Sequence, residues 1–193
     1  INGTATSAHG VYLADENVLS GSAVTVTGET ISTTGDGVHI GDSPATNKLE
    51  GTGNLTITGT QTTSTGFHGV QISNQTNLTR TSDISITGNA STSAQHGVAI
   101  NDGSAVSSGT AALSITGSSG SGAGVKIYRT AAAPASSVSG GAVTIKGSSD
   151  SGTAAVVLQR GQVTGSGTVL IEANPDKEVN IDSASSVTKD NAG

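Results

Sequence analysis

Residues 83 to 100 read Asp83-Ile-Ser-Ile-Thr-Gly-Asn-Ala-Ser-Thr-Ser-Ala-Gln-His-Gly-Val-Ala-Ile100, and they hold the two short motifs from which most of the chain is built. Ile84-Ser85-Ile86 alternates apolar and small polar residues, and Val98-Ala99-Ile100 places two branched residues at the same spacing of two. Alternation with period two marks a strand with one buried face, and neither piece has the length or periodicity of a helix.

Working outward, the second motif recurs as Gly10-Val11-Tyr12-Leu13, Gly37-Val38-His39-Ile40, Gly69-Val70-Gln71-Ile72, Gly97-Val98-Ala99-Ile100 and Gly124-Val125-Lys126-Ile127. Weaker copies follow at Ala155-Val156-Val157-Leu158 and Glu178-Val179-Asn180-Ile181. From Val11 to Val179 the steps are 27, 32, 28, 27, 31 and 23 residues, a mean of 28. The first motif alternates with it: Val24-Thr-Val26, Leu55-Thr-Ile57, Ile84-Ser-Ile86, Leu113-Ser-Ile115, Val143-Thr-Ile145 and Val169-Leu-Ile171, usually followed by Thr-Gly or Lys-Gly. Between the motifs lies one apolar residue per cycle, namely Leu19, Leu49, Leu78, Val106, Val138, Val163 and Val187. Three short strands per cycle of about 28 residues predict an all-β fold, a parallel β-helix of six to seven coils. On a strand spacing of about 4.8 Å, the rod would be roughly 30 to 35 Å long.

Composition fits that architecture better than a conventional core. Gly, Ser and Thr number 28 each among 193 residues, Trp, Met and Cys are absent, and Phe and Tyr together total three. Such a chain cannot fill one large core, yet 33% apolar and only 11% charged residues do not describe a disordered chain either. A solenoid buries Val, Ile and Leu one thin layer at a time. The net charge of −6 leaves no basic footprint for nucleic acid or an anionic membrane. No apolar run of about 18 residues predicts membrane insertion, and no cysteine is present for a disulfide or a thiolate site.

Insertions respect the winding. From the last apolar residue of the Gly-Val-x-Ile strand to the lone apolar residue the count is 6, 9, 6, 6, 11, 5 and 6, so 41 to 48 and 128 to 137 lengthen one and the same corner. Solenoids accept extra residues at a turn, where they project from one face. The repeat is already running at Ile1, where no signal pattern is visible, and still running near Val187. Residues 1–193 therefore read as a single β-helix segment, excised from a longer repetitive protein.

Asn54-Leu-Thr-Ile-Thr-Gly59, Asp83-Ile-Ser-Ile-Thr-Gly88 and Ala112-Leu-Ser-Ile-Thr-Gly117, alternating with His68-Gly-Val-Gln-Ile72 and His96-Gly-Val-Ala-Ile100, resemble the filamentous haemagglutinin-type exoproteins of two-partner secretion and, more loosely, autotransporter adhesins. The resemblance covers nearly the whole chain, although the coils exceed that family's usual units of about twenty residues and no secretion domain is found. It implies a right-handed parallel β-helix, export through an outer-membrane transporter to the bacterial surface, and attachment to a host-cell receptor, a glycan or other adhesin copies.

The chemistry-bearing residues fall into columns. His9, Asp36, His68 and His96 each precede the Gly of the second motif. Imidazole and carboxylate can hold a metal, but His39 lies outside this column, no fourth ligand is evident, and the column reads as a polar turn with no metal and no cofactor. Asp15, Asp42, Asn74, Asp102, Arg129 and Arg160 follow the same strand by two residues. Stacked Asp15 and Asp42 could approach the spacing of a retaining glycosidase pair, a polysaccharide-processing alternative that the scarcity of aromatic platforms opposes. Asn and Asp are also ordinary turn residues, so no catalytic residue is assigned. Thr25, Thr56, Ser85, Ser114 and Thr144, beside Thr27, Thr58, Thr87 and Thr116, form hydroxyl columns that resemble an ice-binding face, although Ser interrupts one column and Lys146 ends the other. Thr also suits any exposed strand. Asn2, Asn54, Asn74, Asn77 and Asn89 head Asn-x-Ser/Thr glycosylation triplets. The expected ligand-binding place is the insertion corner, with Tyr128, Arg129 and Asp42.

Overall fold

The computed structural model describes the chain except for residues 15–17, 42–46, 64–65, 92–94, 131 and 190–193. Among the described residues the chain winds through three parallel sheets of seven strands each. The first sheet takes Asn2–Ala5, Val24–Thr30, Leu55–Gln61, Ile84–Ala90, Ala112–Ser119, Ala142–Ser149 and Val169–Ala173. The second takes Val11–Leu13, Val38–Ile40, His68–Ile72, His96–Asn101, Ala123–Tyr128, Ala154–Gln159 and Glu178–Ile181. The third takes Val18–Ser20, Lys48–Gly51, Asn77–Arg80, Ala105–Ser107, Ser136–Gly140, Gly161–Gly165 and Ser186–Lys189. This is a parallel β-solenoid with three strands per turn, as the repeat predicts.

Register follows the apolar pattern because a slip of one residue would turn every inward side chain to solvent. Val26, Ile57, Ile86, Ile115 and Ile145 stack in one inward column, and Val38, Val70, Val98, Val125 and Val156 in another. Leu49, Leu78, Val106, Val138 and Val163 line the third sheet. All of these are at most 1% exposed. Full burial of each such side chain contributes about 1.5 to 3 kcal/mol, and the stacked layers join into one continuous apolar core from Val11 to Val163. In the last turn Val179, Ile181 and Val187 are exposed, and the pairing of Ala154–Gln159 with Glu178–Ile181 skips Ala155.

The glycine after the first motif has a steric cause. Gly28, Gly59, Gly88 and Gly117 point inward at the corner between the first and second sheets, where a Cβ would run into the carbonyl oxygens of Gly37, Gly69, Gly97 and Gly124 respectively. The second-motif glycines return the constraint, since a Cβ at Gly69 would meet the amide nitrogen of Asn89. Two glycine columns thus let two backbones touch. Just beyond them inward polar residues close the turns: Thr30 donates Oγ1–H to Ala8 O at 2.7 Å, and Gln61 donates Nε2–H to Ser32 O at 3.1 Å.

Candidate functional site

The outer face of the second sheet gathers ring-bearing side chains. Hydrogen bonds from Gly10 N to Asp36 O and from Gly37 N to His68 O, together with the pairing of His68 and His96, place His9, Asp36, His68, His96 and Ala123 in one column. Tyr12, His39, Gln71, Ala99 and Lys126 form the outward column within the strands.

Where the two columns meet at the first two coils, Asp36 is the hub. Its Oδ1 accepts the His68 amide at 2.6 Å, its Oδ2 lies 2.7 Å from Nδ1 of His39, and its own amide donates to Nδ1 of His9 at 2.9 Å. Nε2–H of His39 donates to Gly41 O at 2.7 Å. Tyr12 stacks on His9 with ring centroids 5.0 Å apart and meets His39 edge-on at 5.2 Å. Burial works against ionisation of Asp36, but the bonds to His39 and His9 and the field of His68 outweigh it, holding the carboxyl well below the usual carboxylate range. His39 is therefore part of this site. Sequence columns missed it because strand residue and turn residue, three apart, converge only when the chain enters the second sheet.

Farther along, His68 and His96 stack with centroids 5.2 Å apart and planes 8° from parallel. Nδ1 of His96 accepts the Ala123 amide at 3.1 Å. Burial, reinforced by His68 and Lys126, pushes His96 down to about 3, and burial likewise lowers His68. Lys126 lies over the Tyr128 ring at 4.5 Å, and Tyr128 OH accepts Nδ2–H of Asn101 at 2.9 Å.

The insertion corner forms an open groove of about 300 Å³ lined by Asn74, Gln75, Asp102, Thr130, Ala132, Ala133 and Pro134. Asn74, Gln75 and Asp102 adopt positive φ, which Asn and Asp tolerate better than most residues. Oδ1 of Asp102 accepts the amide and the hydroxyl of Thr130, at 2.9 and 3.0 Å. Arg129 donates Nη1–H to Ala133 O at 3.1 Å and so braces the loop from behind. Tyr128 turns toward the second sheet, and neither it nor Arg129 lines the groove. Asp42, like Asp15, lies outside the described residues.

Among the glycosylation triplets, Asn2, Asn54 and Asn89 are exposed, whereas Asn74 and Asn77 are half-buried. The threonine columns align in register from Thr27 through Thr58 and Thr87 to Thr116, then reach Lys146, whose Nζ pairs with Glu172 at 2.8 Å.

The fold defines the class: a parallel β-solenoid with polar and ring-bearing features along its faces and one elongated corner. Comparison with protein-family models, curated proteins and solved structures gives no match to the chain. No helix of the described residues is long and apolar enough to cross a membrane.

Proposed function

We propose that the chain is an adhesive rod segment of a secreted bacterial surface protein, of the filamentous haemagglutinin or autotransporter kind, and that its elongated corner meets a host-cell receptor or glycan. The supporting observation is the polar groove that both a long corner loop and two left-handed turns build on the side of an otherwise repetitive ladder. Continuous parallel pairing gives a stiff axis, and loops on such an axis are where binding groups can vary without disturbing the core. The groove offers the amides of Asn74 and Gln75, the Asp102 carboxylate and the Thr130 hydroxyl beside the apolar edge of Pro134. Donors and acceptors next to a small apolar surface suit sugar hydroxyls and ring C–H groups. Its openness suits weak contacts repeated along a filament, with avidity supplying strength.

The test is binding of the whole chain to a glycan array and to cultured epithelial cells, with Gln75→Ala as the comparison. Saturable binding that falls about tenfold in the variant supports the corner. Binding that Gln75→Ala leaves unchanged moves the contact elsewhere, and no binding by the parent chain removes the adhesive reading for this segment.

A further inference from the structure

We propose that His9, Asp36 and His39 form a binding site for one divalent transition-metal ion of the zinc class. The proposal is independent of the adhesive reading. One ring nitrogen of His9, one ring nitrogen of His39 and one carboxylate oxygen of Asp36 all lie within 4.8 Å of one another. Tetrahedral zinc with bonds of about 2.0 to 2.1 Å separates its ligand atoms by roughly 3.3 Å. The His9 Nδ1 to Asp36 Oδ2 distance is 3.4 Å, already an edge of that tetrahedron, and the His39 to Asp36 edge of 2.7 Å must open by about half an ångström.

The surroundings are those of a metal site. A ligating histidine is usually oriented by donating its other ring N–H to a carbonyl or carboxylate. His39 does so through Nε2 to Gly41 O, which leaves Nδ1 as the nitrogen aimed at Asp36. Asp36 is held in the same way, with Oδ1 taken by the His68 amide and Oδ2 left for the ion. Its side chain is 1% exposed, whereas His9 and His39 are 23% and 16% exposed, so the anionic ligand is fixed from inside and the site opens outward for a water as fourth ligand. Tyr12 packs against both imidazoles and limits their rotation. Binding costs the Asp36 amide bond to His9, and the ion replaces the direct contact between His39 and Asp36. An N₂O donor set favours zinc, copper, nickel or cobalt over magnesium or calcium.

Isothermal titration of the whole chain with zinc chloride is expected to show one site, which His9→Ala and His39→Gln each weaken by at least about tenfold. His39→Gln keeps a side chain able to bond Asp36 and serves if an alanine variant fails to fold, and circular dichroism confirms the sheet in each variant. Cobalt should bind with the intense visible absorption of a four-coordinate ion, absent in His39→Gln. His96→Gln should bind zinc as the parent chain does. Absence of binding at millimolar zinc, or zinc binding indifferent to both His9→Ala and His39→Gln, overturns the site.

Discussion

Arg80 donates Nη1–H to the carbonyl oxygen of Gly21 at 3.0 Å, 59 residues earlier and two coils away. Gly51, in register with Arg80 on the intervening coil, lets the guanidinium pass because it has no side chain. Arg80 is 1% exposed, and among the described residues its Nε and Nη2 have no hydrogen-bond partner. The solenoid therefore buries an incompletely paired cation at a corner where neighbouring coils carry glycine and serine.

An isolated buried charge costs more than an apolar group of similar shape. Arg80→Met should stabilise the chain by about 1 kcal/mol and raise Tm by roughly 2 to 4 °C. A lower Tm in thermal unfolding would show that the guanidinium is better satisfied than its contacts indicate. Gly51→Ala should act in the opposite direction, since its Cβ would meet Arg80 Nη1 at a backbone φ of 151°.

Gly88→Ala tests the touching backbones. The added methyl meets the Gly97 carbonyl, a rigid group that cannot step aside, so a loss of about 3 kcal/mol is expected, at the upper end for overpacking. Ser85→Ala, on the exposed side of the same strand, should stay within about 0.5 kcal/mol. Urea midpoints that fall equally for the two variants would contradict the steric account.

The stacked histidines make stability depend on pH. His96 titrates near 3 when folded against an ordinary value near 6.5, so between those limits the unfolded chain holds the extra proton. Stability should be full above about 6.5 and should fall as pH drops toward 3, by up to about 1.4 kcal/mol per pH unit from this group. His96→Gln should flatten that slope in urea titrations at pH 7, 5.5 and 4.5. An unchanged slope would remove His96 as the cause.

Asp102 ties the corner loop to the turn one coil earlier through both groups of Thr130. Asp102→Ala should cost about 1 to 2 kcal/mol, the usual value for hydrogen bonds to a charged group that is not deeply buried. Faster limited proteolysis within 128–137 is the direct readout; cleavage at the parent rate would mean that Arg129 and its bond to Ala133 suffice.

Three apolar columns, the coil length and the corner that takes insertions were legible in the sequence because they depend on local alternation and on a repeat that a reader can align. Val26, Ile57 and Ile86 could only stack if strands paired in parallel at that period, and they do. The obligatory glycines were visible as a pattern, but their reason, contact between two backbones, exists only once the first and second sheets meet. The column of His9, Asp36, His68 and His96 was likewise readable, whereas His39 was assigned to a different one. Strand residues alternate sides and turn residues do not, so only the folded corner brings His39 Nδ1 to Asp36. Arg80 is a mixed case: it points inward because it lies two residues after the inward Leu78, as alternation predicts, but its reach across two coils depends on the glycine that the fold stacks beside it on the intervening coil.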